Sequence, residues 1–164
     1  MKGNPKVMAG LQESINLEAS RSAQYKLDGI DAKRFGLEIA GDLLTLHQQS
    51  EDAQDGLVSR LFFFEGEPEI AAQTAKPHQD FGSLIADHIA AETALVGRFR
   101  ELAKEAWDAG EIDTAHSYEH LANYHTVGCA IGGNEHKGHL AWLQKQLWQR
   151  GKLGETDYIA VQAG

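Results

Sequence analysis

The sequence predicts an all-α protein, a four-helix bundle with one long crossover and a short fifth helix at its C-terminus. Three observations lead there. Only Pro5, Pro68 and Pro77 interrupt 164 residues, so long stretches lack the strongest helix breaker. Apolar residues recur at helical spacing through four long segments, and no alternating strand pattern competes. The segments form two tightly joined pairs, separated by residues 66–80, which have no clear period and contain Pro68 and Pro77.

Each element follows from local signals. Asn4-Pro5 reads as an N-cap with proline at the first helical position, and the first helix runs from there to Arg34. Gly36 is its stop. The second helix continues to about Glu65 and ends at Gly66-Glu67-Pro68. Asp80 can cap a third helix from Phe81 to about Ala109, ended by Gly110. The fourth is expected from Ile112 to Arg150, with a kink or break at Gly128, Gly132 and Gly133. After a turn at 151–154, Glu155 to Gln162 reads as the short fifth helix. The length suits one domain, residues 1–164, with room for a sizeable core.

Composition narrows the functional classes. A formal net charge of −9 argues against nucleic acid, whose phosphates need a basic surface, and is compatible with attracting cations. No run approaches the ~20 apolar residues of a membrane helix. Cys129 is the single cysteine, so no internal disulfide is expected and a reducing compartment is implied. No apolar signal segment follows Met1-Lys2-Gly3-Asn4-Pro5, and a cytoplasmic location is expected.

Helical wheels show which polar groups fall inside the apolar arcs. Glu18 sits at the centre of the arc set by Val7, Leu11, Ser14, Ser22 and Tyr25. In the second helix His47 and Gln54 lie near the centre and Glu51 at the edge. His88 and Glu92 lie inside the third arc. In the fourth, built from Ala115, Ala122, Cys129, Leu140 and Leu147, His136 lies inside and His139 on the flank. Inward carboxylates and imidazoles on all four helices suit iron or manganese, and an i, i+3 pair brings two ligands to one point. Glu51-x-x-Gln54 and His136-x-x-His139 have that spacing. Other readings coexist: Glu18 and Glu92 as core carboxylates bonded to Tyr or His, His47, His88 and His125 as packing or hydrogen-bonding histidines, and His116 and His120 as a solvated pair. Cys129 reads as a small core residue, the three tryptophans as packing or subunit contacts, and Glu65-Glu67-Glu69 as a solvated turn.

Four stretches carry a family resemblance. MKGNPKVMAGLQESINLEASRSAQY, SRLFFFEGEPEI, AAETALVGRFRELAKEA and HKGHLAWLQKQL are similar to the first, second, third and fourth helices of the bacterioferritins. The resemblance implies a ferritin-like fold, self-assembly into a multi-subunit shell, ferroxidase di-iron centres and haem between subunits. It places Glu18 at the family's buried first-helix glutamate, Glu92 at the bridging glutamate, Tyr25 at the family's tyrosine and His139 at a metal histidine. The chain departs from the pattern in its second and fourth helices. Gln54 stands where histidine is expected, and His136 where glutamate should precede His139. The second helix has no methionine, so haem is not expected. Residues 36–66 are about one residue short. Residues 102–136 are about eleven long, about three turns of helix. With another gap, Ser50 and Ala53 would fill the second helix's ligand positions; and Glu92 faces the level of Gly128 and Cys129 unless a loop or kink absorbs the insertion.

Three functions follow as expectations. The first is iron storage with Fe(II) oxidation at a modified dinuclear site of Glu18, Glu51, Gln54, Glu92, His136 and His139, with Tyr25 beside it. The second is a ferroxidase-inactive shell subunit, assembling with itself or with another bacterioferritin subunit. The third is a non-storage metal protein of the same fold, suggested by the histidines of the fourth helix.

Overall fold

A computed structural model describes the backbone of residues 2–131 and 134–153, and their side chains except at 129–136 and 150–153. Helix α1 spans Pro5–Arg34, α2 Ile39–Phe63, α3 Phe81–Asp108, α4 Ile112–Thr126 and α5 His139–Leu153; strands β1 (Gly128–Ile131) and β2 (Asn134–Lys137) lie between the last two. The caps are those the sequence suggests. Asn4 accepts from Lys6 N at 2.9 Å, Asp80 accepts from Ser83 N at 2.8 Å, and Gly110 turns at φ 77° between α3 and α4. The aperiodic 66–80 segment is the crossover between the two helix pairs. The expected fifth helix, 155–162, lies outside the described residues.

On α1, Val7, Leu11, Ser14, Glu18, Arg21, Tyr25, Asp28 and Ala32 are all buried. Their three-four spacing puts them on one stripe that faces the other helices. The apolar core accordingly divides in two. One cluster gathers Leu11, Ile15, Leu57, Leu95, Phe99, Tyr118 and neighbours; the other gathers Tyr25, Leu43, Leu46, Ile85, Trp142 and Leu143. Glu18 lies between Ile15 and Tyr25 on α1, and Glu92 between Ile85 and Leu95 on α3, so a polar layer separates the clusters.

The fourth helix is not continuous to Arg150, as expected from sequence. It stops at Thr126, and an antiparallel hairpin pairs Gly128 with Lys137 and Cys129 with His136 before α5 begins. The hairpin absorbs the inserted length. Its feet nearly touch: a Cβ on Gly138 would lie 2.3 Å from the Val127 carbonyl carbon and 2.6 Å from Gly128 N. Only glycine permits that approach. The helical path therefore resumes where it left off, and α4 and α5 both pack on α3.

Candidate functional site

The polar layer is built around Glu92, which is fully buried on α3. Its Oε1 accepts from Tyr25 OH at 2.8 Å, Arg21 Nε at 3.1 Å and His139 Nδ1 at 3.2 Å. Its Oε2 accepts from His125 Nδ1 at 2.8 Å. Four protein donors thus share its two oxygens, three on Oε1 and one on Oε2. His125 reaches the second carboxylate with its other nitrogen, Nε2 standing 2.5 Å from Glu18 Oε1.

These contacts fix protons and charge. Carboxylates accept and do not donate, so both nitrogens of His125 carry hydrogen and the ring is an imidazolium. Burial opposes that charge, but Glu18 and Glu92 outweigh it and push the His125 pKa up to about 10. Burial would raise Glu92, yet His125 and His139 hold it well below the ordinary carboxylate value. Burial dominates at Glu18 and raises it against the attraction of His125. Burial also pushes His139 down to about 4, leaving it neutral. With its amide nitrogen turned toward the acceptors, Gln49 donates to His139 Nε2 at 3.2 Å and to Lys137 O at 3.1 Å. That leaves Nδ1–H to face Glu92. The imidazolium of His125 and the guanidinium of Arg21 balance Glu18 and Glu92, and the layer is neutral without any added ion.

The sequence-derived ligand set is only partly assembled. Glu18, Tyr25, Glu92 and His139 converge. Glu51 does not: its side chain is 47% exposed and turns to His47 of its own helix, 3.7 Å away. Gln54 is half-buried, whereas Ser50 and Ala53 are the buried residues of that stretch. The shorter second helix thus presents a hydroxyl and a methyl where a carboxylate and an imidazole were expected. His136 sits in β2, not on a helix facing Glu92, and its side chain lies outside those described. Its place is taken by His125, expected as a packing or hydrogen-bonding histidine and found bonded to both carboxylates. The signal was present, since Ala115, Tyr118, Ala122 and His125 follow the inward three-four spacing. Arg21 lies on the same kind of stripe in α1 and was missed because cations are rarely buried.

A dinuclear iron centre does not fit this donor set. Two ferrous ions need several carboxylates; here there are two, one of them already bonded to four protein donors, a guanidinium among them. A single ion fits more nearly. Glu92, His125 and His139 offer ligand atoms all within 4.8 Å of one another, and Glu18 Oε2 and Ser50 Oγ are buried with no hydrogen-bond partner. Asp28, His78 and His88 form a second such group. There Arg21 approaches His88 Nδ1. A guanidinium can only donate, so the His88 proton sits on Nε2, which is the nitrogen facing Asp28 and offers no lone pair to a metal.

No protein-family model matches the chain. A bacterial ferritin of Paramagnetospirillum magnetotacticum is 23% identical over 169 residues, which cover 100% of this chain and 96% of that protein. Among solved structures, Rhodobacter capsulatus bacterioferritin, described with a metal-free dinuclear site and haem iron, superposes with a TM-score of 0.85 at 19% identity, covering 99% of this chain and 96% of that one. Mycobacterium tuberculosis bacterioferritin gives 0.84 at 20% identity with the same coverage. Bundle and crossover together give the chain a ferritin-like fold. Within that fold class, the chain is similar over its whole length to a bacterial ferritin and superposes on solved bacterioferritins. Among the described residues, no helix is long and apolar enough to cross a membrane.

Proposed function

We propose that this chain is a shell-forming, bacterioferritin-like subunit for iron storage whose bundle centre holds an ion-pair network in place of a dinuclear ferroxidase site. The whole-length likeness to a bacterial ferritin supports storage and self-assembly. One observation favours the inactive centre over Fe(II) oxidation at a modified site: α2 turns Ser50 and Ala53 inward and Glu51 outward. The hydrogen bonds that Glu92 already accepts from Arg21, Tyr25, His125 and His139 support it further. Iron in such a shell is cargo, oxidised elsewhere or by an active partner subunit, and the centre's work is to hold four helices together at a charge-neutral layer.

A second reading rests on the Glu92, His125 and His139 group with the unpartnered Glu18 Oε2. It would hold one divalent ion after His125 gave up a proton. Both readings are tested by anaerobic Fe(II) loading, desalting and elemental analysis, with particle size measured on the same sample. A large particle holding no tightly bound iron in the bundle, with Fe(II) oxidation unchanged in Glu18→Ala and Glu92→Ala, is expected. One ion per chain would favour the second reading, and about two, lost in those variants, would restore the dinuclear site.

A further inference from the structure

The crossover has no core of its own. Residues 69–74 are all exposed, and they are held by a ladder of α1 side chains. Gln12, Asn16, Ser20 and Gln24, four apart on one line of the helix, reach the crossover backbone in turn. Gln12 accepts from Glu69 N at 2.9 Å and donates to Glu69 O at 2.6 Å. Asn16 accepts from Ala71 N and Ser20 from Gln73 N, each at 2.9 Å. Gln24 accepts from Lys76 N at 3.4 Å and donates to Lys76 O at 2.8 Å.

The next rung is Asp28, and it differs from the others. It is buried and meets a side chain, His78, whose Nδ1 lies 3.0 Å from both of its oxygens. His78 Nε2 lies 3.0 Å from Asp87 Oδ2 on α3. With a carboxylate at each nitrogen, the ring is an imidazolium that ties the crossover to α1 and α3 at once. Asp28 also accepts from His88 Nε2 at 2.7 Å, and His88 in turn receives Arg21, which reaches Glu92 in the central layer.

We propose that His78 is a pH-operated latch that pins the crossover to the bundle and, through Asp28 and His88, braces Arg21 in the buried centre. The groups facing His78 are Asp28 and Asp31 on α1, Asp87 and His88 on α3, and Asp80 of its own segment. Asp31 is paired with Arg34, and His88 is neutral, so the surroundings favour the cation. Asp28 is the main cause of a raised His78 pKa, against the opposing effect of burial, with Asp87 adding to it. The latch is therefore closed below that raised pKa and opens as pH rises through it. A neutral His78 has one N–H. Buried Asp28 keeps that bond, and Asp87, whose side chain is 69% exposed, turns to water. The crossover then hangs on the α1 ladder alone.

The test is amide hydrogen exchange on the assembled protein between pH 6 and 9. It is read as protection factors, so that the pH dependence of intrinsic exchange cancels. The reporters are the amides of Glu69, Ala71, Gln73 and Lys76, with Leu11 and Ile15 inside α1 as controls. Wild-type protection at the reporters should fall about tenfold as pH rises, the size expected for loss of one charge-assisted hydrogen bond. In His78→Gln and in Asp87→Asn, the latter a surface change that leaves the fold intact, protection should be low at every pH, with the controls unchanged. Wild-type protection independent of pH, or variant profiles that follow the wild type, would overturn the latch.

Discussion

Removing His125 is the sharpest perturbation of the central layer. His125→Ala strips the shared cation from Glu18 and Glu92, both at 0% exposure, and leaves two carboxylates in a dry site. Breaking a buried ion pair from one side costs about 3–5 kcal/mol. The raised pKa gives a similar figure: lifting an imidazole from 6.5 to about 10 corresponds to about 5 kcal/mol. The sign follows from linkage. A folded pKa above the unfolded one means that the stabilisation is complete below pH 6.5, declines by about 1.4 kcal/mol per pH unit above it, and is gone beyond about 10. Urea unfolding followed by tryptophan fluorescence, with Trp142 in the core as reporter, measures this at one fixed subunit concentration. The variant should be about 3–5 kcal/mol less stable at pH 7. It should lack the alkaline decline, and it should recover stability toward pH 5 as the stranded carboxylates take up protons. A variant within about 1 kcal/mol of wild type at pH 7, or one with the same alkaline decline, would refute an imidazolium at this position.

Two further variants probe how the site is assembled. Gly138→Ala forces a Cβ to within 2.3 Å of the Val127 backbone. It should cost about 3 kcal/mol or more by spreading the feet of the hairpin, and an unchanged unfolding midpoint would mean that the feet do not meet. Rebuilding the family ligands with Ser50→Glu, Ala53→His, Arg21→Ala and His125→Glu in one chain should create tight metal binding, about two ions per chain by elemental analysis. If the rebuilt chain takes up none, α2 does not bring position 50 to the centre.

Much of this was legible in the sequence, because the signals are local. Asn4-Pro5, Asp80 and Gly110 mark helix ends through the hydrogen bonds and φ angles that they supply themselves. Glu18 and Glu92 were identified as inward because 3.6-residue periodicity fixes a side chain's direction once a helix is granted. In contrast, His136 and Glu51 were misplaced. Wheel position at the edge of an arc depends on neighbouring helices, and one residue of register decides between Glu51 and Ser50.

By itself, then, the sequence determined four helical segments, one crossover and the inward direction of two buried carboxylates, since each is set by spacing within a single helix. Tertiary structure alone decided what surrounds those carboxylates. A hairpin of inserted residues closes on Gly138 and returns the chain to its helical path, which brings His125 and His139 to Glu92 from either side of a break. Arg21 enters the same layer from α1. Whether a buried carboxylate binds a metal or an imidazolium depends on which donors occupy its oxygens, and those donors come from residues up to 107 positions apart. No local pattern encodes that proximity; it arises only when the helices pack.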